Sequence, residues 1–285
     1  MVAISCAAVL IRLAEAPPLA VAAFRLLIAS AVLLPVGMLR SRGEIKCLLR
    51  EQWRFLVLAG VLLALHFALW IASLSYTSVA SSVVLVTATP LFVALASWVL
   101  FRESLRKGTF VGIAISLVGA LLIGYAGMQS GGAALSGNLL ALFAAIAMAG
   151  YLLIGRRLRR SAGLLAYSTV VFSVAALVLL TAAVISRTPF TGYTGATYAA
   201  MIALALVPQL VGHMSLNWAL RFLPATMVTV AVLGEPVGAS FLAWLTLGES
   251  PTLLEAGGGA LMLLGIAVAF LRGGATPFLP ARRSA

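Results

Sequence analysis

One stretch of this chain occurs twice, and the way it recurs limits what the chain can fold into. Residues 74–119, LSYTSVASSVVLVTATPLFVALASWVLFRESLRKGTFVGIAISLVG, lie without a gap on residues 220–265, LRFLPATMVTVAVLGEPVGASFLAWLTLGESPTLLEAGGGALMLLG, at a shift of 146 positions. Matching Leu and Val mean little in so apolar a chain. Rarer residues agree too: Pro90 falls on Pro236, Trp98 on Trp244, Glu103 on Glu249, Ser104 on Ser250, Gly112 on Gly258 and Gly119 on Gly265. Rare residues in register argue for a duplicated unit.

The medium of that unit follows from what its surface must be. With 63% hydrophobic and 9% charged residues and a mean hydropathy of +1.14, the chain lacks the polar groups needed to cover a water-soluble globule, so an all-α integral membrane protein is expected. Pro, Gly and charge divide the sequence into ten apolar runs, at about 1–14, 19–39, 53–75, 78–101, 108–127, 136–155, 163–186, 195–220, 224–247 and 252–271. In lipid each run must be a helix, because only a helix pairs its own backbone groups. A strand barrel would need alternating polarity instead. The first run, at ~1.5 Å per residue, covers only ~21 Å of a ~30 Å hydrocarbon core. We expect it to be truncated rather than a signal peptide, since it has no basic n-region and no small-x-small cleavage site.

A net charge of +12 would point to nucleic acid in a soluble protein, but here Lys and Arg sit in short clusters between apolar runs, as orientation signals do, and no nucleic-acid partner is expected. The loops 40–54, 102–107, 156–160, Arg221 and the tail from Arg272 carry sixteen of the nineteen; only Arg12 and Arg187 lie on the other side, and Arg25 lies within a span. The positive-inside rule places both termini in the cytoplasm of a multi-pass inner (plasma) membrane protein. Five spans per half is an odd number, so the halves cross the membrane in opposite senses. The expected organisation is a first repeat at 1–127, an external linker at 128–135, a second repeat at 136–272 and a cytoplasmic tail at 273–285. Inverted repeats are the architecture of secondary transporters that alternate access around a midplane site.

The paired TPLFVALASWVLFRES and EPVGASFLAWLTLGES, each followed by a Gly-rich span, together with FRLLIASAVLLP in the second span, resemble the EamA family of the drug/metabolite transporter superfamily over essentially the whole chain. The resemblance implies a ten-helix exporter of amino acids or related metabolites, with a central cavity lined largely by spans three, four, eight and nine.

Within the spans, polar side chains are the candidates for function, because facing them to lipid is costly. Gln209, His213 and Asn217, at i, i+4 and i+8 of span eight, share one helix face and suit a substrate amine or carboxylate; the alternative is interhelical hydrogen bonding. His66, Trp70, Ser73 and Thr77, at steps of four, three and four, form a comparable face in span three, aromatic at mid-depth and hydroxylated towards its external end, with Trp70 too deep for an interfacial belt. Glu235 sits near the middle of span nine, before Pro236; its repeat partner is Thr89. Its readings are a substrate-amine or proton-coupling site, a neutral carboxyl bonded to a neighbouring helix, or a charge pair with Arg25. Arg25 is expected by default to snorkel towards the headgroups, with a salt bridge or a substrate carboxylate as alternatives. Pro90 and Pro236 remove a backbone donor in mid-span and are expected to bend their helices. The glycines of GTFVGIAISLVG and GGGALMLLG are expected to pack helices within each half. Glu103 and Glu249, at span ends, are expected as solvated caps or gate latches.

No Asp occurs, and Cys6 and Cys47 stand apart, so no metal site, disulfide or cofactor is expected. There is no G-x-S-x-G, H-E-x-x-H or P-loop. The leading expectation is a non-enzymatic exporter of a small molecule, monomeric or homodimeric, with proton coupling through Glu235. The competing ones are an intramembrane enzyme or lipid-handling protein, and an uncoupled facilitator.

Overall fold

The computed structural model describes residues 2–101, 107–129, 132–223, 225, 228–229 and 232–273. Among them every regular element is helical. The repeat residues Glu103 and Ser104, two residues of the expected linker and the tail from 274 lie outside this set.

The first span is α1 (Val2–Ser5) and α2 (Ala7–Leu13). There follow α3 (Pro18–Arg40), α4 (Arg42–Ser73), α5 (Val79–Val86), α6 (Thr89–Phe101), α7 (Lys107–Gln129), α8 (Gly132–Leu158), α9 (Leu164–Ile185), α10 (Gly195–Leu204) and α11 (Met214–Ala219). A 3₁₀ turn at Val232–Gly234 leads into α12 (Glu235–Leu247), and α13 (Leu253–Gly273) closes the described chain. Six segments are long and apolar enough to span a bilayer, and Val2–Leu13, Val111–Ala126 and Leu253–Ala269 are shorter apolar helices. With α12 these occupy all ten expected runs, with large apolar side chains such as Leu117, Leu121, Leu177 and Leu245 facing outward.

Three local departures have identifiable causes. Pro90 and Pro236 do more than bend their spans: each is the second residue of a helix that restarts after a break, Thr87–Ala88 in span four and the 3₁₀ turn in span nine. Pro90 deprives the Val86 carbonyl, four residues back, of its usual donor, and the Thr89 hydroxyl supplies one at 2.9 Å. The third departure is in span eight. Between α10 and α11, residues 205–213 wind as a π-helix around Pro208, so the simple i, i+4, i+8 stacking expected there does not hold as written.

The two halves meet at a crossing whose geometry reports their relation. A Cβ added to Gly119 would lie 2.5 Å from the Gly258 carbonyl oxygen, and one added to Gly265 would lie 2.6 Å from the Gly112 carbonyl oxygen. Gly258 and Gly265 are the repeat partners of Gly112 and Gly119, so these contacts are mates under exchange of the halves. So are the approaches of Gly112 to Ala269 and of Gly258 to Ile123, again related by the 146-residue shift. Ser116 donates to the carbonyl of Met262 at 3.1 Å, a separation of 146: this residue touches its own repeat partner. Ascending α7 from 112 to 119 descends α13 from 265 to 258, so the helices are antiparallel and related by a pseudo-two-fold axis passing near Ser116. The glycines therefore pack one half against the other, not helices within a half as expected. The repeat partners α3 and α9 also cross antiparallel, late in one and early in the other: Thr169 donates to the Leu33 carbonyl at 3.4 Å, and a Cβ on Gly37 would meet the Thr169 hydroxyl at 2.4 Å. The fold is two inverted five-helix repeats.

Gly119→Ala forces backbone apart at this crossing and is expected to cost about 1–3 kcal/mol, read as a lowered melting temperature in detergent. Gly124→Ala, whose added Cβ meets nothing within 4 Å, is the control and is expected to be neutral or to gain up to about 1 kcal/mol of helix propensity.

Candidate functional site

Both broken spans border one recessed hollow. It is lined by Ile4 and Ala7 of the first span, Arg25, His66, Trp70, the break residues Val86, Thr87, Thr89 and Pro90, Met148 and Leu152 of α8, His213, Leu216, and Val228, Thr229, Val232 and Glu235 at the second break. Its volume is about 50 Å³, room for a few waters at roughly 10–15 Å³ each. Anything larger enters only if the lining parts.

Arg25 is the most constrained side chain in the site. It is 0% exposed and turned inward, which corrects the expectation that it snorkels. Its Nε donates to Gln209 Oε1 at 2.8 Å, and its Cζ stands 4.0 Å from the Phe67 ring centroid and 6.0 Å from that of Trp70. A guanidinium on an aromatic face with one nitrogen bonded is fixed in plane and rotation. Nη1 and Nη2 take no acceptor from the described residues, and neither does the buried Trp70 Nε1. Arg25 and Glu235 line the same hollow, yet the only ion pair among the described residues is elsewhere; the expected charge pair between them is not formed.

The aromatic wall continues through His66. Its ring is stacked on Trp70 with a centroid separation of 6.0 Å and an interplanar angle of 16°, and it lies 6.3 Å from His213. Its Nδ1 is 3.0 Å from the Ala144 carbonyl; a carbonyl only accepts, so Nδ1 carries the proton and Nε2 of the neutral ring is an acceptor. Thr89 spends its hydroxyl on the Val86 carbonyl and, at 3.4 Å, that of Ala145. Glu235 occupies the corresponding place in the second half and is hydrogen-bonded to no described residue, while being only 6% exposed.

The sequence candidates therefore divide. His66, Trp70, Thr89, His213 and Glu235 line the hollow, as does Pro90. Gln209 stands behind Arg25 and orients it. Asn217 is 0% exposed and accepts from Tyr151 at 2.5 Å, donates to Ser168 at 3.3 Å, and offers its carbonyl to Arg159 Nε at 2.9 Å: it ties helices together. Ser73 bonds the Trp70 carbonyl and Ser82, each at 2.6 Å, away from the hollow. Pro236 is buried next to Glu235 without lining it. What the sequence left unassigned is the contribution of Ile4, Ala7, Met148 and Leu152, apolar residues with nothing to set them apart from lipid-facing ones.

Each face of the bundle is tied across the halves. On one, Arg12 pairs with Glu249 at 2.9 Å and donates to the Thr77 carbonyl at 3.1 Å, and Glu249 accepts from the Val79 amide at 3.1 Å. Glu255 accepts from the hydroxyls of Ser78 and Ser81, each at 2.5 Å. Two carboxylates of the second half thus cap the positive N-terminus of α5 in the first. Glu249 is thus held by Arg12 and the Val79 amide in this structure. On the opposite face Glu44 of the first half accepts from the Gly163 amide of the second, while Arg159 donates within the second half to the carbonyls of Asn217 and Ala162.

The comparisons with known proteins agree with this architecture. The model of the EamA-like transporter family matches residues 1–125 and 135–271. An uncharacterized transporter of Bacillus subtilis (strain 168), YwfM, is 28% identical over 255 residues, 89% of this chain and 84% of that protein. An uncharacterized transporter of Clostridium kluyveri is 24% identical over 234 residues, 79% of this chain and 74% of that one. One crystal structure superposes with a TM-score of 0.71 across 96% of this chain and 95% of its own, at 21% identity, a likeness of fold alone.

Asn217→Ala removes the side-chain partner of the Tyr151 and Ser168 hydroxyls while keeping the main-chain carbonyl that Arg159 bonds, and is expected to lower stability by about 1–3 kcal/mol in thermal denaturation. The dissociation constant of any ligand of the hollow should stay within about twofold, because Asn217 does not line it.

Proposed function

The chain belongs to the EamA-like transporter family, and from that premise we propose that it is a secondary transporter exporting small metabolites, amino acids or related compounds, across the inner membrane by alternating access. The observation that carries this reading is the hollow itself: it is contributed by both inverted halves and placed where the two broken helices restart. Such breaks expose half-helix termini to a substrate near the midplane. At about 50 Å³ the hollow holds no metabolite as it stands, so transport requires the halves to rock apart. The polar ties on the two faces are the contacts that such rocking would break in turn. The distribution of Lys and Arg supports cytoplasmic termini and hence a cytoplasmic face at Glu44, Gly163 and Arg159, with the Arg12–Glu249 latch outside.

Lipid handling is the second reading. A lateral cleft open to lipid would favour it, whereas the hollow here is walled by Arg25, His66, His213 and Glu235. Glu235 is our candidate for proton coupling, facing Arg25, His66 and His213 as the other titratable groups of the lining.

In proteoliposomes, efflux of labelled amino acids by the wild type is expected to rise with an inward proton gradient, and Glu235→Gln is expected to transport at a rate indifferent to it. Gradient dependence surviving the substitution removes the coupling role and favours the facilitator. Absence of counterflow for every substrate in a broad metabolite panel removes the transporter reading.

A further inference from the structure

The unclaimed hydrogen-bonding groups on Arg25 and Trp70 are of one kind. Arg25 Nη1 and Nη2 and Trp70 Nε1 are buried, belong to residues lining the hollow, and take no acceptor from the described residues; none of these nitrogens can accept. A buried donor without a partner costs about 1–3 kcal/mol, more when charged. The guanidinium cannot swing away to find an acceptor, since Gln209 holds Nε at 2.8 Å and the Phe67 ring backs its face at 4.0 Å. Gln209 is itself 0% exposed. What remains is a rigid pair of coplanar Nη groups, the fork that matches the two oxygens of a carboxylate.

The helix breaks add to the same polarity. α6 starts at Thr89 and α12 at Glu235, each 13 residues long, and both starting residues line the hollow. The positive ends of two half-helices are thus at the site. Among the described lining residues only Glu235 opposes them, and it makes no ion pair with Arg25.

We infer that this hollow is a carboxylate site: Arg25 takes the carboxylate of a small organic acid through Nη1 and Nη2, with Trp70 Nε1 as the neighbouring donor, and the remainder of the molecule lies along Met148, Leu152 and Glu235. The inference deepens the transporter reading by naming what its substrate must carry, but it is tested by binding alone.

The test is a melting-temperature screen of the purified full chain in detergent against the twenty proteinogenic L-amino acids, acetate, benzoate and succinate, each paired with its amide. At least one acid is expected to bind about ten- to a hundredfold more tightly than its amide, as the loss of a charge-assisted bond implies. Arg25→Lys, which keeps the charge and loses the fork, is expected to weaken the acid at least about tenfold while leaving the amide within about twofold; Arg25→Gln should abolish the preference. Acid and amide binding equally, no acid in the panel binding the wild type, an acid affinity that Arg25→Lys weakens less than about tenfold, or an acid preference that survives at Arg25→Gln overturns the inference. Should Arg25→Gln fail to fold, the wild-type acid and amide comparison still decides. Acid-selective binding lost at Arg25→Lys but without counterflow in proteoliposomes leaves the site standing and fails the transporter reading.

Discussion

The structure depends on one close approach of backbones, where α7 and α13 cross with no side chain between Gly119 and Gly258 and with Ser116 bonded to Met262. Lipid gives helices no hydrophobic reason to associate, so contact must come from packing and interhelical hydrogen bonds, and small residues permit both. Because each contact recurs with the halves exchanged, the crossing fixes a pseudo-two-fold axis lying across the helices. A two-fold in that direction inverts one repeat relative to the other. The antiparallel meeting of α3 with α9 at Leu33, Gly37 and Thr169 obeys the same relation. An odd number of spans per repeat demands this inversion, and the glycines make it sterically attainable.

Equivalent positions need not do equivalent chemistry. At the first break Thr89 gives its hydroxyl to the carbonyl that Pro90 leaves without a donor. At the second, the same register position holds Glu235, which bonds no described residue and faces a hollow shared with Arg25. The symmetric scaffold supplies two broken helices, and the asymmetric substitution supplies a polar site between them. Around it the described residues leave donors open that a closed hydrophobic core would never tolerate, while the polar ties at Glu249 and Glu255 on one face and Glu44 on the other bind half to half.

Much of this was legible in the sequence. Pro90 with Pro236 and the four glycines in register foretold a duplication, and loop charge foretold the odd crossing number. Polarity in mid-span singled out His66, Trp70, His213 and Glu235, which line the hollow. What escaped was orientation. Arg25 on an isolated helix would snorkel; only the aromatic face of Phe67 and the amide of Gln209, arriving from spans three and eight, hold it inward. The same holds for Asn217, whose polar head serves Tyr151 and Ser168 because the π-helical turn at 205–213 changes which residues share a face. The glycine partners were misassigned for a related reason: spacing says that a helix can be approached closely, not which helix approaches it.

The inverted arrangement is tested most directly by the sidedness of two positions on either side of an odd number of spans. Native Cys47 is exposed beyond the end of α3, and Thr191 is exposed beyond the end of α9. Labelling intact cells and inside-out vesicles with a membrane-impermeant maleimide should modify Cys47 in one preparation only, and Thr191→Cys, in a Cys47→Ser chain, in the other only. Modification of both from the same side would contradict the inverted repeat, and with it the shared hollow between the halves.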